Sequence, residues 1–368
     1  MDAGNAQQRL LNQRIDGEKC TRPEDVVKWM GAMQAQDYQQ AVWAIGLRTQ
    51  SATMADIEHA IADRKILRTW PMRGTLHFVP SEDAKWMLKL LAGRVLARDR
   101  RRQEQLEIHP PIIERAARLF YDSLEGGKCI SRPGMMELLD DAGIHSQGQR
   151  GYHLLWYLAQ IGLICLGPIE DKQQTFVLLD EWVPQSRALS HEEALAELAW
   201  RYFTSHGPAT IHDFARWAGL TITDAKAGLE DAKAGLLSEK REGQIYWLAS
   251  YAPGYQAQTP SKIHLLPGFD EYVIGYKDRS AVLSTEHAPK IVPGNNGVFL
   301  PTLVVAGLVL GTWKRTQRKN SLAILLTPFT AIDDLEERAI EAAKAYSDFL
   351  GLPLSSIASK SPTHSDVL

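Results

Sequence analysis

Two glutamines separated by one small residue, Gln34-Ala35-Gln36, are the positions of this chain whose type and spacing most invite a chemical reading. An amide neither gains nor loses a proton near neutral pH. A pair of amides therefore works by holding a reactant in place and by turning carbonyl dipoles toward developing positive charge, effects worth on the order of a few kcal/mol per group. The pair follows Arg22-Pro-Glu-Asp-Val-Val-Lys-Trp-Met-Gly-Ala-Met33 and falls in the first of three helix-and-hairpin units of a kind that binds nucleic acid. Uncharged groups in that setting point to an enzyme acting on DNA. Gln-x-Gln on its own is common at solvated helix ends, so its weight comes from the context.

Other residues compete for a role. The segment Trp70-Pro-Met-Arg-Gly-Thr-Leu-His77 offers Trp70 as a stacking face or a core filler. It also offers Arg73 at a turn as a phosphate contact, Thr75 beside it, and His77 as a pocket residue or a hydrogen-bonded scaffold. Asp270-Glu271 is the acidic doublet with enzymatic appeal. Read as strand neighbours, its two carboxylates point to opposite faces, which favours a structural role over a metal site or an acid/base pair. The histidines show no His-Glu-x-x-His spacing, the three cysteines Cys20, Cys129 and Cys165 are far apart, and no glycine-rich phosphate loop occurs. No metal, no cofactor and no disulfide framework are expected.

The elements that must position these residues repeat. In the third unit, Glu192 to His206 carries apolar residues at helical spacing and stops at Gly207-Pro208; Thr210 then caps Ile211–Ala218, which ends at Gly219. Thr221 opens a helix to Leu236, and Leu237–Arg241 with Gln244–Ala249 alternates like a hairpin. Three helices and a hairpin in about 60 residues follow the winged helix-turn-helix plan. The order recurs as Pro111–Leu124, Ser131–Ala142, Gln147–Gln160 and the strands Leu163–Leu166 and Thr175–Leu179. In the first unit the wing is Ile66–Met72, turning at Arg73-Gly74 into Thr75–Val79. Tyr251-Ala-Pro-Gly-Tyr255 breaks the pattern. Strands at Lys262–Leu266, Val298–Leu300, Leu303–Val305, Leu308–Trp313 and Leu322–Leu326 follow, then an amphipathic helix Asp333–Leu350 and a loose tail from Ser359.

The expected fold is mainly α with β wings. Winged modules at 5–100, 110–183 and 190–250 precede a strand-rich α+β domain at 260–355. Composition is that of an ordinary globular protein, with 45% hydrophobic and 23% charged residues, and no apolar run reaches the roughly 20 residues a membrane helix needs. The start of the chain lacks the basic region and apolar core of a signal peptide, so a cytoplasmic, nucleoid-associated monomer is expected. A net charge of -3 rules out a generally basic DNA binder. Contact must then come from patches, either Arg94 to Arg102 or the Lys314-Arg315-Thr-Gln-Arg318-Lys319 turn.

Met33-Gln34-Ala35-Gln36-Asp37, Trp70 to His77, Leu266-Pro-Gly-Phe-Asp-Glu-Tyr272 and Gly311-Thr-Trp-Lys-Arg315, taken with the order of units, resemble the AlkZ-like bacterial winged-helix DNA glycosylases that unhook interstrand crosslinks. The match covers nearly the whole chain. Ala306-Gly307 departs from the Asp-Gly expected at one turn, which touches hairpin geometry only. The resemblance implies that Gln34 and Gln36 are the catalytic motif, and Gln at its second position implies the branch acting on bulky antibiotic adducts and crosslinks, in DNA repair or self-resistance. It also implies a monofunctional glycosylase for cationic alkylpurines in double-stranded DNA. Guanine alkylated at N7 is already cationic, so it leaves without a proton from a general acid and amides suffice. The rival readings are a winged-helix transcription regulator and a nucleoid or interaction scaffold. The helix from Thr221, with Lys226, Ala227, Gly228 and Ala232, is poor material for base readout.

Overall fold

The structure, a computed structural model, describes residues 3–241, 243–250 and 262–360. The break at 251–255 and the tail beyond 360 lie outside them. No helix among the described residues is long and apolar enough to cross a membrane.

The three helix-and-hairpin units are cut by capping chemistry. Thr53 with Asp56, Ser190 with Glu193 and Thr210 with Asp213 each form a reciprocal capping box that satisfies two backbone donors at a helix start. Gly219 closes Ile211–Ala218 in the left-handed conformation at φ 73°, which glycine adopts without a side-chain penalty. The second unit comprises helices Pro110–Leu124, Arg132–Asp141 and Arg150–Gln160 and strands Ile164–Glu170 and Gln173–Leu178. In the third, the helix opened by Thr221 ends at Ala232, ahead of the expected Leu236, because Leu236 already pairs with Ala249 as the first residue of the hairpin.

The hairpins of the first two units join edge to edge where Arg68 pairs with Leu166, giving a six-stranded sheet, while the third hairpin lies in its own three-stranded sheet. A five-stranded sheet follows, built from Ile263–Leu266, Thr302–Val305, Leu308–Arg318, Ser321–Pro328 and Leu354–Ser359, the last running parallel to its neighbour. That last strand was not apparent in the sequence. Half of its six residues are serine and most are exposed, and pairing with Leu322–Leu326 rather than a buried face holds it. Val298–Leu300 is not a strand, and the expected helix Asp333–Leu350 is two, Leu335–Arg338 and Ile340–Leu350. Lys314 and Arg315 lie inside a strand, with the turn beyond Arg318.

The hairpin Ile66–Met72 with Thr75–Pro80 is the keystone of the packing. Ile66 and Phe78 enter the core shared with the C-terminal sheet. Leu67, Met72 and Val79 enter the core shared with the third unit, and Trp70 and Leu76 enter that of the second. The cores thus cross the four sequence segments. Every residue of Ile66–Met72 is buried.

Candidate active site

Met33 and Gln34 form a short strand on the edge of this hairpin, paired with Phe78 and His77. The Ala35 N–H extends the pairing by donating to the Leu76 carbonyl at 2.8 Å. Successive side chains of an extended segment point to opposite faces. Met33 and Ala35 are accordingly buried, while Gln34 is half-buried and Gln36 exposed, both on the outward face. Asp37 then caps the helix Tyr38–Gly46 by accepting from the Gln40 N–H at 3.2 Å.

The backbone of the motif is fixed from several sides. The Gln34 N–H donates to Glu271 Oε1 at 2.9 Å. The Arg68 guanidinium donates to the Ala35 carbonyl at 3.0 and 2.6 Å and reaches the Gln36 carbonyl at 3.4 Å. Neither glutamine side-chain amide hydrogen-bonds to any described residue. A rigid backbone carrying two uncommitted amides is the arrangement that positioning and dipolar catalysis require. The surroundings are open. A cleft of about 790 Å³, lined by Lys19, Trp43 and His264 among others, does not include either glutamine.

On the face that Gln34 shares with its strand partner His77 lies a buried polar cluster. His77 Nδ1 contacts the Thr75 carbonyl at 2.8 Å; a carbonyl only accepts, so Nδ1 carries the proton and Nε2 accepts from Arg73 at 3.0 Å. Burial, helped by the Arg73 charge, pushes the His77 pKa down to about 3, so the ring is neutral. Arg73 also donates to the Trp217 carbonyl, and it holds φ 55° at the tip of the hairpin. Glu271 Oε2 accepts from the Trp217 indole at 2.9 Å and lies 3.5 Å from His206 Nε2. Burial alone would raise the Glu271 carboxyl, but His206 and the Arg73 charge outweigh it and hold it at about 2.

The structure therefore brings Gln34, Gln36, Arg73, Thr75 and His77 together, and it changes several expected roles. Arg73 turns inward to Trp217 and His77 instead of outward to phosphate, because the second and third units cover the hairpin tip: Trp156 donates to the Gly74 carbonyl at 3.1 Å. Trp70 is 2% exposed and fills core, with no face left for a base. Asp270 is not a strand residue. It caps Glu271–Ile274 and forms a buried two-bond pair with Arg48, at 2.9 and 2.8 Å, while Glu271 faces the motif. Lys314 is exposed; Arg315 is held by Gln39 and the Tyr346 hydroxyl. Arg68, Trp217 and His206 went unrecognised. No local signal marks them; Arg68 lies a full strand away from Met33–Gln34 and reaches the Ala35 carbonyl through its long side chain.

The chain is a DNA glycosylase by family: the profile of the family "DNA glycosylase AlkZ-like" matches residues 27–349, and the chain belongs to that family. The enzyme is thus a hydrolase acting on N-glycosyl bonds. The interstrand DNA cross-link repair glycosylase of Streptomyces sahachiroi is 25% identical over 352 residues, which span 92% of this chain and 93% of that protein. The solved structure of Streptomyces sahachiroi DNA glycosylase AlkZ shares the fold, with a TM-score of 0.79 at 23% identity over 97% of this chain and 100% of the other.

Proposed function

We propose that this enzyme releases cationic alkylpurines, N7-alkylguanine above all, from double-stranded DNA, with Gln34 and Gln36 as its catalytic amides. Water attacks C1′ of the deoxyribose, the bond from C1′ to N9 breaks, and its electron pair cancels the positive charge on the departing base. The spare proton of water passes to bulk solvent. The glutamine carbonyls orient the water and face the positive charge that builds on the sugar. The observation that carries this reading is the contrast at the motif: backbone bonded to Glu271, Leu76 and Arg68, side-chain amides bonded to nothing described.

The three helix-and-hairpin units are read here as winged modules, with Lys314 and the basic strand end beyond it supplying phosphate contacts. Gln at position 36 favours the branch that takes bulky adducts and interstrand crosslinks, and the open surroundings of Gln36 suit lesions that cannot rotate freely out of the duplex. A role in self-resistance within a nucleoid-associated, monomeric enzyme accords with that substrate range. The test is base release from a duplex carrying one N7-methylguanine. Gln34→Ala and Gln36→Ala should each slow release by ~10² or more while DNA binding persists. Turnover by the double variant close to that of the wild type would end the assignment.

A further inference from the structure

We propose that Glu271 is a positioning residue for catalysis: its carboxylate, arriving from the start of the helix Glu271–Ile274, sets the backbone of Gln34 and thereby aims the Gln34 amide. The inference rests on the catalytic reading of Gln34 given above. Three features of the site support it. First, Glu271 is 1% exposed and lies 3.5 Å from His206 Nε2, while Arg48 is bound by the adjacent Asp270. Second, its two oxygens serve two different N–H donors, Oε1 the Gln34 backbone and Oε2 the Trp217 indole, each at 2.9 Å. Third, its own backbone is fixed, since it opens a short helix whose cap is the Arg48-bound Asp270.

The chemistry of the acceptor makes this specific to a carboxylate. Two converging N–H groups need an acceptor oxygen each, which an ionised carboxylate has and an amide of the same shape lacks. In Glu271→Gln the NH2 end must face either the Gln34 N–H or the Trp217 N–H, leaving one buried donor unpaired. When the oxygen turns toward Trp217, the NH2 end faces the Gln34 N–H, which loses its anchor. A backbone displaced by about an ångström at a catalytic group is enough to cost up to ~10² in rate.

The experiment uses the full chain and a duplex with a single N7-methylguanine, measuring single-turnover release and duplex affinity separately. Glu271→Gln should slow release about 10- to 100-fold while affinity stays within about two-fold. Adding Trp217→Phe removes the competing donor and lets the glutamine oxygen face Gln34, so the double variant should recover at least about five-fold over Glu271→Gln. A structural role alone would lower affinity and release together and would give no recovery. Release by Glu271→Gln at the wild-type rate, or a double variant no faster than the single one, overturns the proposal. Should Glu271→Gln not fold, Glu271→Asp carries the test: its shorter carboxylate withdraws from Gln34, so release slows with binding intact, and wild-type release is the contrary result. Gln34→Ala run alongside separates the two claims. If it is inactive while Glu271→Gln is normal, only the positioning role fails; if it is active, the catalytic reading fails.

Discussion

The guanidinium of Arg68 grips the carbonyl of Ala35 through two N–H groups, at 3.0 and 2.6 Å, directly between the two candidate catalytic glutamines. Arg68 is buried, and burial lowers its pKa to about 10, which still leaves it charged at neutral pH. Its third arm donates to Gln174 in the second unit at 2.9 Å, so the motif is tied to a neighbouring unit as well as to its own hairpin.

Replacing Arg68 by methionine keeps much of the apolar stem and removes every donor. The buried Ala35 carbonyl is then unpaired, which should lower stability by about 1–3 kcal/mol. Base release should fall by more than duplex affinity does. Arg68→Lys should be intermediate in release, since a single ammonium cannot reproduce the forked contact. Chemical denaturation together with single-turnover release checks both parts, and equal losses of rate and affinity would show that Arg68 does not act on the motif.

The buried His77 gives a pH prediction with a defined sign. Its pKa is about 3 in the folded enzyme against 6.5 for the unfolded side chain, so between those values the unfolded chain binds a proton that the folded one does not. Stability therefore rises with pH across this window, and the contribution is lost as pH falls below about 6.5. His77→Gln keeps a donor and an acceptor without a titrating ring. Its thermal midpoint should fall less between pH 7 and pH 5 than that of the wild type. Parallel losses in the two proteins would remove His77 as the source.

Much of this was legible from the sequence, and the exceptions have physical causes. The hairpin turning at Arg73-Gly74, the Thr210 cap and the Gly219 stop are local effects written in neighbouring residues. Gln34 and Gln36 could be singled out by their type, their spacing and the family resemblance around them; that they share one face of a strand segment needed the pairing with Phe78 and His77. Glu271 could not be linked to Gln34 across 237 residues, since no local rule couples a strand to a helix start so far along the chain. Trp70 and Arg73 looked available because a hairpin read alone has two free faces; here all three cores close around it. The doublet Asp270-Glu271 looked like a strand until the Asp270 cap turned it into a helix start.

Ala306 and Gly307 form the two-residue turn between Val305 and Leu308, with φ of 50° and 84°. Such a turn needs the left-handed region at both positions, which alanine adopts at a cost of about 1–2 kcal/mol. Ala306→Asn or Ala306→Gly should therefore stabilise the enzyme by a few tenths to about 1 kcal/mol, read as a higher denaturation midpoint, with base release unchanged. Gly307 should tolerate nothing larger, as an added carbon would come within 3.0 Å of the Ala6 side chain.

Lys314 is exposed on a long strand that continues to Arg318, whereas Arg315 is engaged by Gln39 and Tyr346. Charge reversal at the two positions should thus differ. Lys314→Glu should weaken duplex binding and flatten its dependence on salt by roughly one ion per lost phosphate contact. Arg315→Glu should also disturb the helix Tyr38–Gly46 that follows Gln36, and so slow release beyond its effect on affinity. Identical behaviour of the two variants at two salt concentrations would contradict the distinction.

The charge of the leaving base decides the substrate range. Amide carbonyls can stabilise positive charge on the sugar, but they supply no proton to a departing base, and neutral His77 is fully buried with both ring nitrogens occupied. N7-alkylguanine and N3-alkyladenine should be released, because each leaves as a neutral molecule once the bond pair is returned to it. Uracil, hypoxanthine and 8-oxoguanine should not be. Chelation should leave release intact, and borohydride should trap no covalent DNA adduct, since hydrolysis by water passes through no Schiff base. The discriminating measurement is the ratio of release rates for N7-methylguanine and hypoxanthine in the same duplex context. A ratio near one would mean that some group protonates the leaving base, and Gln34 and Gln36 would no longer account for the chemistry.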